Sequence, residues 1–256
     1  MTRLSTTTAD WLERRRSLDD HAIGFVPTMG ALHGGHASLV ARCRQENEVV
    51  VVSIFINPAQ FNDPKDLERY PRTLDRDMAL LQDLGVDEVL APAAADLYPG
   101  GYRFRLEPVD SAPIMEGAYR PGFLAGVLTV VLKLLGLVRP HRAYFGEKDY
   151  QQLKVVTDMV REFFIPTEIV PCSTVRDASG LAESSRNALL PAEAREKAPH
   201  IHRILTTATT AADARTSLQA EGFEVDYVEE HWGRRLAAAF LGGVRLIDNV
   251  PLPGSR

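Results

Sequence analysis

Hydrophobic positions along the chain form short apolar runs that alternate with stretches carrying apolar residues near helical spacing. Ala22 to Val26 is short and apolar, and Val49 to Ile56 is β-branched and nearly continuous. Glu88 to Ala91, Ala143 to Phe145 and Thr167 to Cys172 are further strand candidates. Between them, Ala37 to Glu46, Thr73 to Leu84, Val127 to Val138 and Tyr150 to Phe163 have the apolar spacing of amphipathic helices. Strands written as unbroken apolar runs suit a sheet buried on both faces, and their alternation with helices is the pattern of a parallel sheet covered by helices. The predicted fold is therefore α/β, a Rossmann-like parallel sheet with helices on both faces.

The texture changes after about Val175. The polar turn Asp177-Ala-Ser-Gly180 is followed by Ala-rich and charged helical stretches and by late strand candidates at Val225 to Val228 and Val244 to Ile247. This predicts a Rossmann-like nucleotide- and substrate-binding domain over residues 1–174 and a smaller α+β C-terminal lid domain over residues 175–256.

Composition narrows the function classes. A chain of 256 residues buries a substantial core, and a hydrophobic fraction of 45% with 25% charged residues is that of a soluble globular protein. No uncharged apolar run is long enough to span a bilayer, so no membrane partner is expected. Lys and Arg number 29 against 34 Asp and Glu, and the net charge of −5 gives no reason to expect a nucleic acid partner. The first residues lack the apolar stretch of a secretory signal, which points to the cytoplasm. Cys43 and Cys172 lack metal-ligand spacing and are expected as buried thiols, and the histidines offer no obvious metal cage, so no protein-held metal is expected.

Three clusters lie where strands run into loops or helices, the edge at which α/β sheets bind ligands. The first is Pro27-Thr-Met-Gly-Ala-Leu-His33-Gly-Gly-His36. A helix N-terminus there presents backbone N–H groups to anions, Gly34 and Gly35 permit close approach, and His33 and His36 can bracket a phosphate. The structural alternative is a tight turn whose histidines cap or pack. Neither a G-x-x-x-x-G-K-[ST] nor a G-x-G-x-x-G fingerprint follows the first strand, which lowers kinase and dehydrogenase readings. In the second, Ser53 to Phe61, Asn57 and Gln60 can supply amides to a hydroxyl or carboxylate, against the alternative of an ordinary Asn-Pro turn. In the third, Phe145 to Gln152, Lys148 can neutralise phosphate charge and Asp149 can accept from ribose or cap a helix, with Gln152 one turn further. A polar loop, Glu183-Ser-Ser-Arg186, can fold over a triphosphate or serve as a linker.

The segments VPTMGALHGGH, VVVSIFINPAQF, RYPRTLDRD, FGEKDYQQL, PCSTVRDASGLAESSRN and RLIDN run in order across nearly the whole chain. Together they resemble the pantothenate synthetase family, nucleotidyltransferases with a His-x-Gly-His motif. The resemblance implies that ATP and pantoate form pantoyl adenylate with loss of pyrophosphate, after which β-alanine attacks to give pantothenate and AMP. It implies ATP as a substrate, with Mg²⁺ carried on its phosphates, and a homodimer. It implies an ATP site at Met29, Gly30, His33, Gly35, His36, Gly146, Glu147, Lys148, Asp149, Val175, Glu183, Ser184, Ser185 and Arg186. His36, His33 and Lys148 would be catalytic, and Gln60 and Gln152 would hold pantoate. A paralogous adenylate-forming ligase for another hydroxy acid or amine is the competing reading.

Departures from the family pattern are expected to matter. Glu183 stands where methionine is usual and brings a carboxylate toward a triphosphate, Phe123 replaces a histidine, and Gly34 replaces a glutamate. The C-terminal domain reads as shortened between Asn187 and Val244.

Overall fold

A computed structural model describes residues 1–254 and divides the chain into two compact units. The first comprises Met1–Gly146 and Gln151–Cys172, and the second comprises Glu147–Tyr150 and the chain from Ser173 onward.

The first unit is a six-stranded sheet in the order β1-β4-β3-β2-β5-β6. Its strands are β1 (Arg3–Ser5), β2 (Ile23–Thr28), β3 (Val49–Ile54), β4 (Glu88–Leu90), β5 (Arg142–Gly146) and β6 (Glu168–Cys172), all paired in parallel. Its helices are α1 (Thr8–Arg16), α2 (Gly34–Glu46), α3 (Pro64–Arg69), α4 (Leu74–Asp83), α5 (Ala94–Leu97), α6 (Met115–Tyr119), α7 (Phe123–Val138) and α8 (Tyr150–Glu162). The β-branched run of β3 is fully covered because it lies inside the sheet. Val40, Cys43, Leu81 and Val86 from α2, α4 and the turn after α4 pack on Val26, Val50, Val52 and Val89 of one sheet face. Gly24 permits that closeness, since a Cβ there would stand 2.7 Å from Asn47 Cγ. On the other side α7 packs against β2 and α1, and Trp11 Nε1 donates to the Leu137 carbonyl at 2.9 Å. The expected α/β architecture is therefore present, with β1 and α1 in addition.

Strand order reverses direction at β2, whose neighbours are β3 and β5. Such a switch point leaves a crevice beyond the strand ends, because the connections leave it on opposite sides. The loop from Met29 to His33 follows β2, and Gly146 ends β5.

The second unit contains α9 (Ala192–Lys197), α10 (His200–Thr207), α11 (Ala211–Ala220) and an antiparallel sheet, β7 (Glu224–His231), β8 (Arg234–Leu241) and β9 (Val244–Pro251). Ile201, Leu205, Leu218, Phe223, Ala237 and Ala239 form its core. The strand Arg234–Leu241 lies between the two expected late strands, where the sequence reading assigned no element. Its alanines allow a central strand, paired on both edges, to lie close beneath the helices. Among the described residues, no helix is long and apolar enough to cross a membrane.

Candidate active site

The first histidine motif is a helix cap. His33 is the N-cap of α2 in extended conformation, and its Nδ1 accepts from the Gly35 amide at 3.2 Å. His36 Nδ1 accepts from the His33 amide at 3.4 Å, and the two rings lie 4.1 Å apart between centroids. A nitrogen that accepts from an amide N–H carries no proton of its own, so each neutral ring holds its proton on Nε2. Capping engages Nδ1 of each ring, so it is compatible with a ligand contact made through Nε2.

Several amides of this loop have partners within the protein. Gly30 N–H donates to Thr28 Oγ1 at 3.1 Å, Ala31 N–H to Asp77 Oδ2 at 2.9 Å, and Leu32 N–H to Asp77 Oδ1 at 2.9 Å. The His33 and Gly35 amides are likewise engaged, by the two imidazoles. Met29 is half-buried beside this turn.

The substrate-side amides differ in role. Asn57 caps a short 3-10 turn, Pro58–Gln60, and is only 1% exposed. Tyr98 OH donates to Asn57 Oδ1 at 2.9 Å, and Asn57 Nδ2 donates to the Gly126 carbonyl at 3.1 Å and to Gln60 Oε1 at 3.0 Å. Because a hydroxyl and a carbonyl fix which end of Asn57 is the donor, Gln60 must turn its oxygen inward. Its Nε2 hydrogens are then the groups it offers a ligand. Burial pushes the Tyr98 phenol well above its usual range, so it remains a donor across the working pH range. Gly126 lets α7 touch this turn, since a Cβ there would stand 2.9 Å from Gln60 Cα. The Asn57 side chain thus holds Gln60, with both ends of its amide engaged within the protein.

Gln152 is half-buried on α8 and makes no side-chain hydrogen bond among the described residues, while its neighbour Gln151 is buried and ties Glu116, Ser111 and Ile114. Phe123 is 7% exposed and lies 3.6 Å beneath the Arg120 guanidinium, which also donates to the Gln60 carbonyl at 3.3 Å. Phe123 thus supplies a cation–π shelf for Arg120.

In the second unit, the turn Glu147–Asp149 is held by the sheet. Asn249 Nδ2 donates to the Glu147 carbonyl at 2.8 Å and the Lys148 carbonyl at 3.0 Å. Arg234 bridges Asn249 Oδ1 at 2.6 Å and Glu147 Oε2 at 2.8 Å. Glu147 is thereby committed to an ion pair, while Lys148 Nζ lies 3.5 Å from Asp149 Oδ2. Val175 accepts from the Glu183 amide at 2.9 Å, and Ser184 Oγ accepts from the Arg186 amide at 3.3 Å, so the Glu183-Ser-Ser185-Arg186 loop leaves a closed hairpin as a capped turn. Arg176 and Asp248 close the hairpin base with two bonds of 2.7 and 2.8 Å.

Asp77, Tyr98, Arg120 and Asn249 receive no role in the sequence reading, although RYPRTLDRD and RLIDN contain Asp77 and Asn249. For Asp77 a signal existed: it shares the face of α4 that carries Leu81, where a carboxylate is out of place. Among the described residues, no group of three or more His, Cys, Asp or Glu is arranged to hold a metal ion.

Comparison with known proteins places this site in a family. The pantoate-β-alanine ligase family model matches residues 2–251. A pantothenate synthetase of Bdellovibrio bacteriovorus is 53% identical over 230 residues, covering 90% of this chain and 92% of the relative. The crystal structure of a pantoate-β-alanine ligase from Francisella tularensis, complexed with β,γ ATP and β-alanine, superposes with a TM-score of 0.94 at 42% identity, covering 98% of each chain. Pantothenate synthetase from Thermus thermophilus gives a TM-score of 0.91 at 43% identity, covering 98% of this chain and 100% of that one. The chain therefore matches these relatives over nearly their whole length, the C-terminal unit included. On a match running from the first strand to the last, the chain belongs to the pantoate-β-alanine ligase family.

Proposed function

We propose that the chain condenses pantoate with β-alanine to pantothenate using ATP, through pantoyl adenylate, releasing pyrophosphate and AMP. The observation that carries this reading is the pair of Nε2–H imidazoles at the start of α2, combined with an inward-turned Gln60 that offers N–H groups. The Francisella relative complexed with β,γ ATP and β-alanine supports the choice of substrates.

In the first step the pantoate carboxylate attacks the α-phosphorus and pyrophosphate leaves. No covalent protein nucleophile is needed, so catalysis rests on alignment and on stabilising charge as it moves to the leaving oxygens. His36 and His33 donate Nε2–H bonds to those oxygens, and Lys148 supplies a full positive charge. Gln60 Nε2 and Gln152 orient pantoate through its hydroxyl and carboxylate, with Asn57 holding Gln60. In the second step the uncharged amine of β-alanine attacks the acyl carbon and AMP leaves. Met29, Gly30, Gly35, Gly146, Glu147, Asp149, Val175 and the loop from Glu183 to Arg186 complete the ATP contacts, Glu147 through its backbone because its carboxylate serves Arg234. Mg²⁺ enters with the phosphates. The working division into residues 1–174 and 175–256, a homodimer and a cytoplasmic setting belong to the same reading.

Purified protein with Mg-ATP, pantoate and β-alanine should form pantothenate, AMP and pyrophosphate in equal amounts by mass spectrometry. AMP formed with another hydroxy acid or amine in strong preference would replace this reading with the paralogous ligase.

A further inference from the structure

We infer that Asp77, a residue of α4, is the positioning residue that fixes the His33–His36 pair for phosphate contact, an inference that rests on the reading of that pair as phosphate ligands. Gly30 and Ala31 both lie in the left-handed region, with φ of 78° and 50°. In the turn they form, the adjacent Ala31 and Leu32 amides converge on one point, the kind of backbone concavity that binds anions. The anion it holds is the protein's own carboxylate, each oxygen of Asp77 taking one amide at 2.9 Å.

Three features make this a fixed clamp. Asp77 is 2% exposed, and no ion pair engages it among the described residues, so its charge is met by the turn amides and by Thr73 Oγ1 at 3.1 Å. A carboxylate so buried holds its donors tightly, because charge-assisted bonds strengthen away from water. Ala31 keeps a conformation that its Cβ disfavours, which requires an external hold. Gly30 leaves room for the carboxylate, since a Cβ there would stand 3.0 Å from Asp77 Oδ2. Leu32, the second clamped amide, directly precedes the N-cap His33, so the clamp sets where α2 begins and where both Nε2 atoms point.

The alternative role for Asp77 is local, as partner of Thr73 at the start of α4, and variants separate the two. Asp77→Asn, Asp77→Ala and Thr73→Val are compared in the full chain by melting temperature, by pyrophosphate release with ATP and pantoate, and by long-range ¹H–¹⁵N spectra of the histidine rings. Both Asp77 variants are expected to lower kcat roughly 100-fold, the scale of an ångström-sized misplacement. The KM for pantoate should be unmoved, and His33 and His36 should lose their single Nε2–H pattern. Thr73→Val should lower the melting temperature, because the buried carboxylate loses one donor, and leave pyrophosphate release and the ring spectra unchanged. If Asp77→Asn keeps kcat within about twofold of wild type and unaltered ring spectra while His36→Ala abolishes turnover, the clamp is wrong and the histidine reading stands. If the wild type releases no pyrophosphate, the ligase reading falls, and the ring spectra alone decide the clamp. Unfolding of both Asp77 variants would make the residue a stability element and overturn the proposal.

Discussion

Asn57→Asp exchanges a donor for an acceptor at a position that is 1% exposed and bonded on every side. In the native arrangement Nδ2 supplies the Gly126 carbonyl at 3.1 Å and Gln60 Oε1 at 3.0 Å, while Tyr98 fixes the opposite end. The substitution turns both Nδ2 contacts into oxygen–oxygen contacts. Each buried bond left unmade costs about 1–3 kcal/mol. The Gly126 carbonyl retains its place in α7, which puts that cost at the low end, and half-buried Gln60 is able to rotate and donate Nε2 to the new carboxylate. Stability should fall by only about 1–2 kcal/mol. Function should fall further, because a rotated Gln60 offers its carbonyl oxygen to an anionic substrate. Losing a hydrogen bond to a charged group costs about 1.5–3 kcal/mol, or roughly 10- to 100-fold in affinity. Asn57→Ala should be milder in KM, since Gln60 loses its anchor but is not forced to rotate. Pantoate titrations of pyrophosphate release, beside urea unfolding curves, read both quantities. A pantoate KM equal to wild type in a folded Asn57→Asp protein would refute the orientation assigned to Gln60.

Further outcomes follow from the same contacts. Glu183→Met removes a carboxylate from the proposed triphosphate loop and should raise ATP affinity in calorimetry; unchanged affinity would remove the charge argument. Asn249→Ala leaves the Glu147 and Lys148 carbonyls without their donor at a site 3% exposed, and should lower both the melting temperature and the rate of pyrophosphate release. Wild-type values of both would show that the Lys148 turn needs no such hold. Burial pushes the Cys43 thiol up from 9.0 to about 12, so the folded state resists deprotonation that the unfolded chain undergoes freely. Its contribution is complete below pH 9.0 and is lost toward pH 12, a slope of about 1.4 kcal/mol per pH unit. Cys43→Ala should flatten the alkaline fall in unfolding free energy, and an identical slope would contradict the assignment.

The elements that were legible in the sequence are those whose burial is uniform. Val49–Ile54 lies inside the sheet and is apolar except for the buried Ser53, so its pattern and its environment agree. Arg234–Leu241 is equally central in its own sheet, yet three consecutive alanines carry no strand signal and only pairing on both edges makes it one. The histidine motif was visible, but its chemistry was half hidden: spacing alone cannot tell which ring nitrogen serves the helix. Asp77 lies 46 residues from Ala31 and meets it only through the packing of α4 beside β2's loop. At Asn57 the sequence shows an amide at a sheet edge but not the four partners that engage it.

The most direct measurement of the proposed chemistry follows oxygen. With pantoate labelled by ¹⁸O in its carboxylate, turnover with ATP and β-alanine should place one labelled oxygen in the phosphate of AMP and none in pyrophosphate, because adenylate formation joins that oxygen to the α-phosphorus. AMP without label, or label in pyrophosphate, would contradict the pantoyl-adenylate route and the role given to His33 and His36.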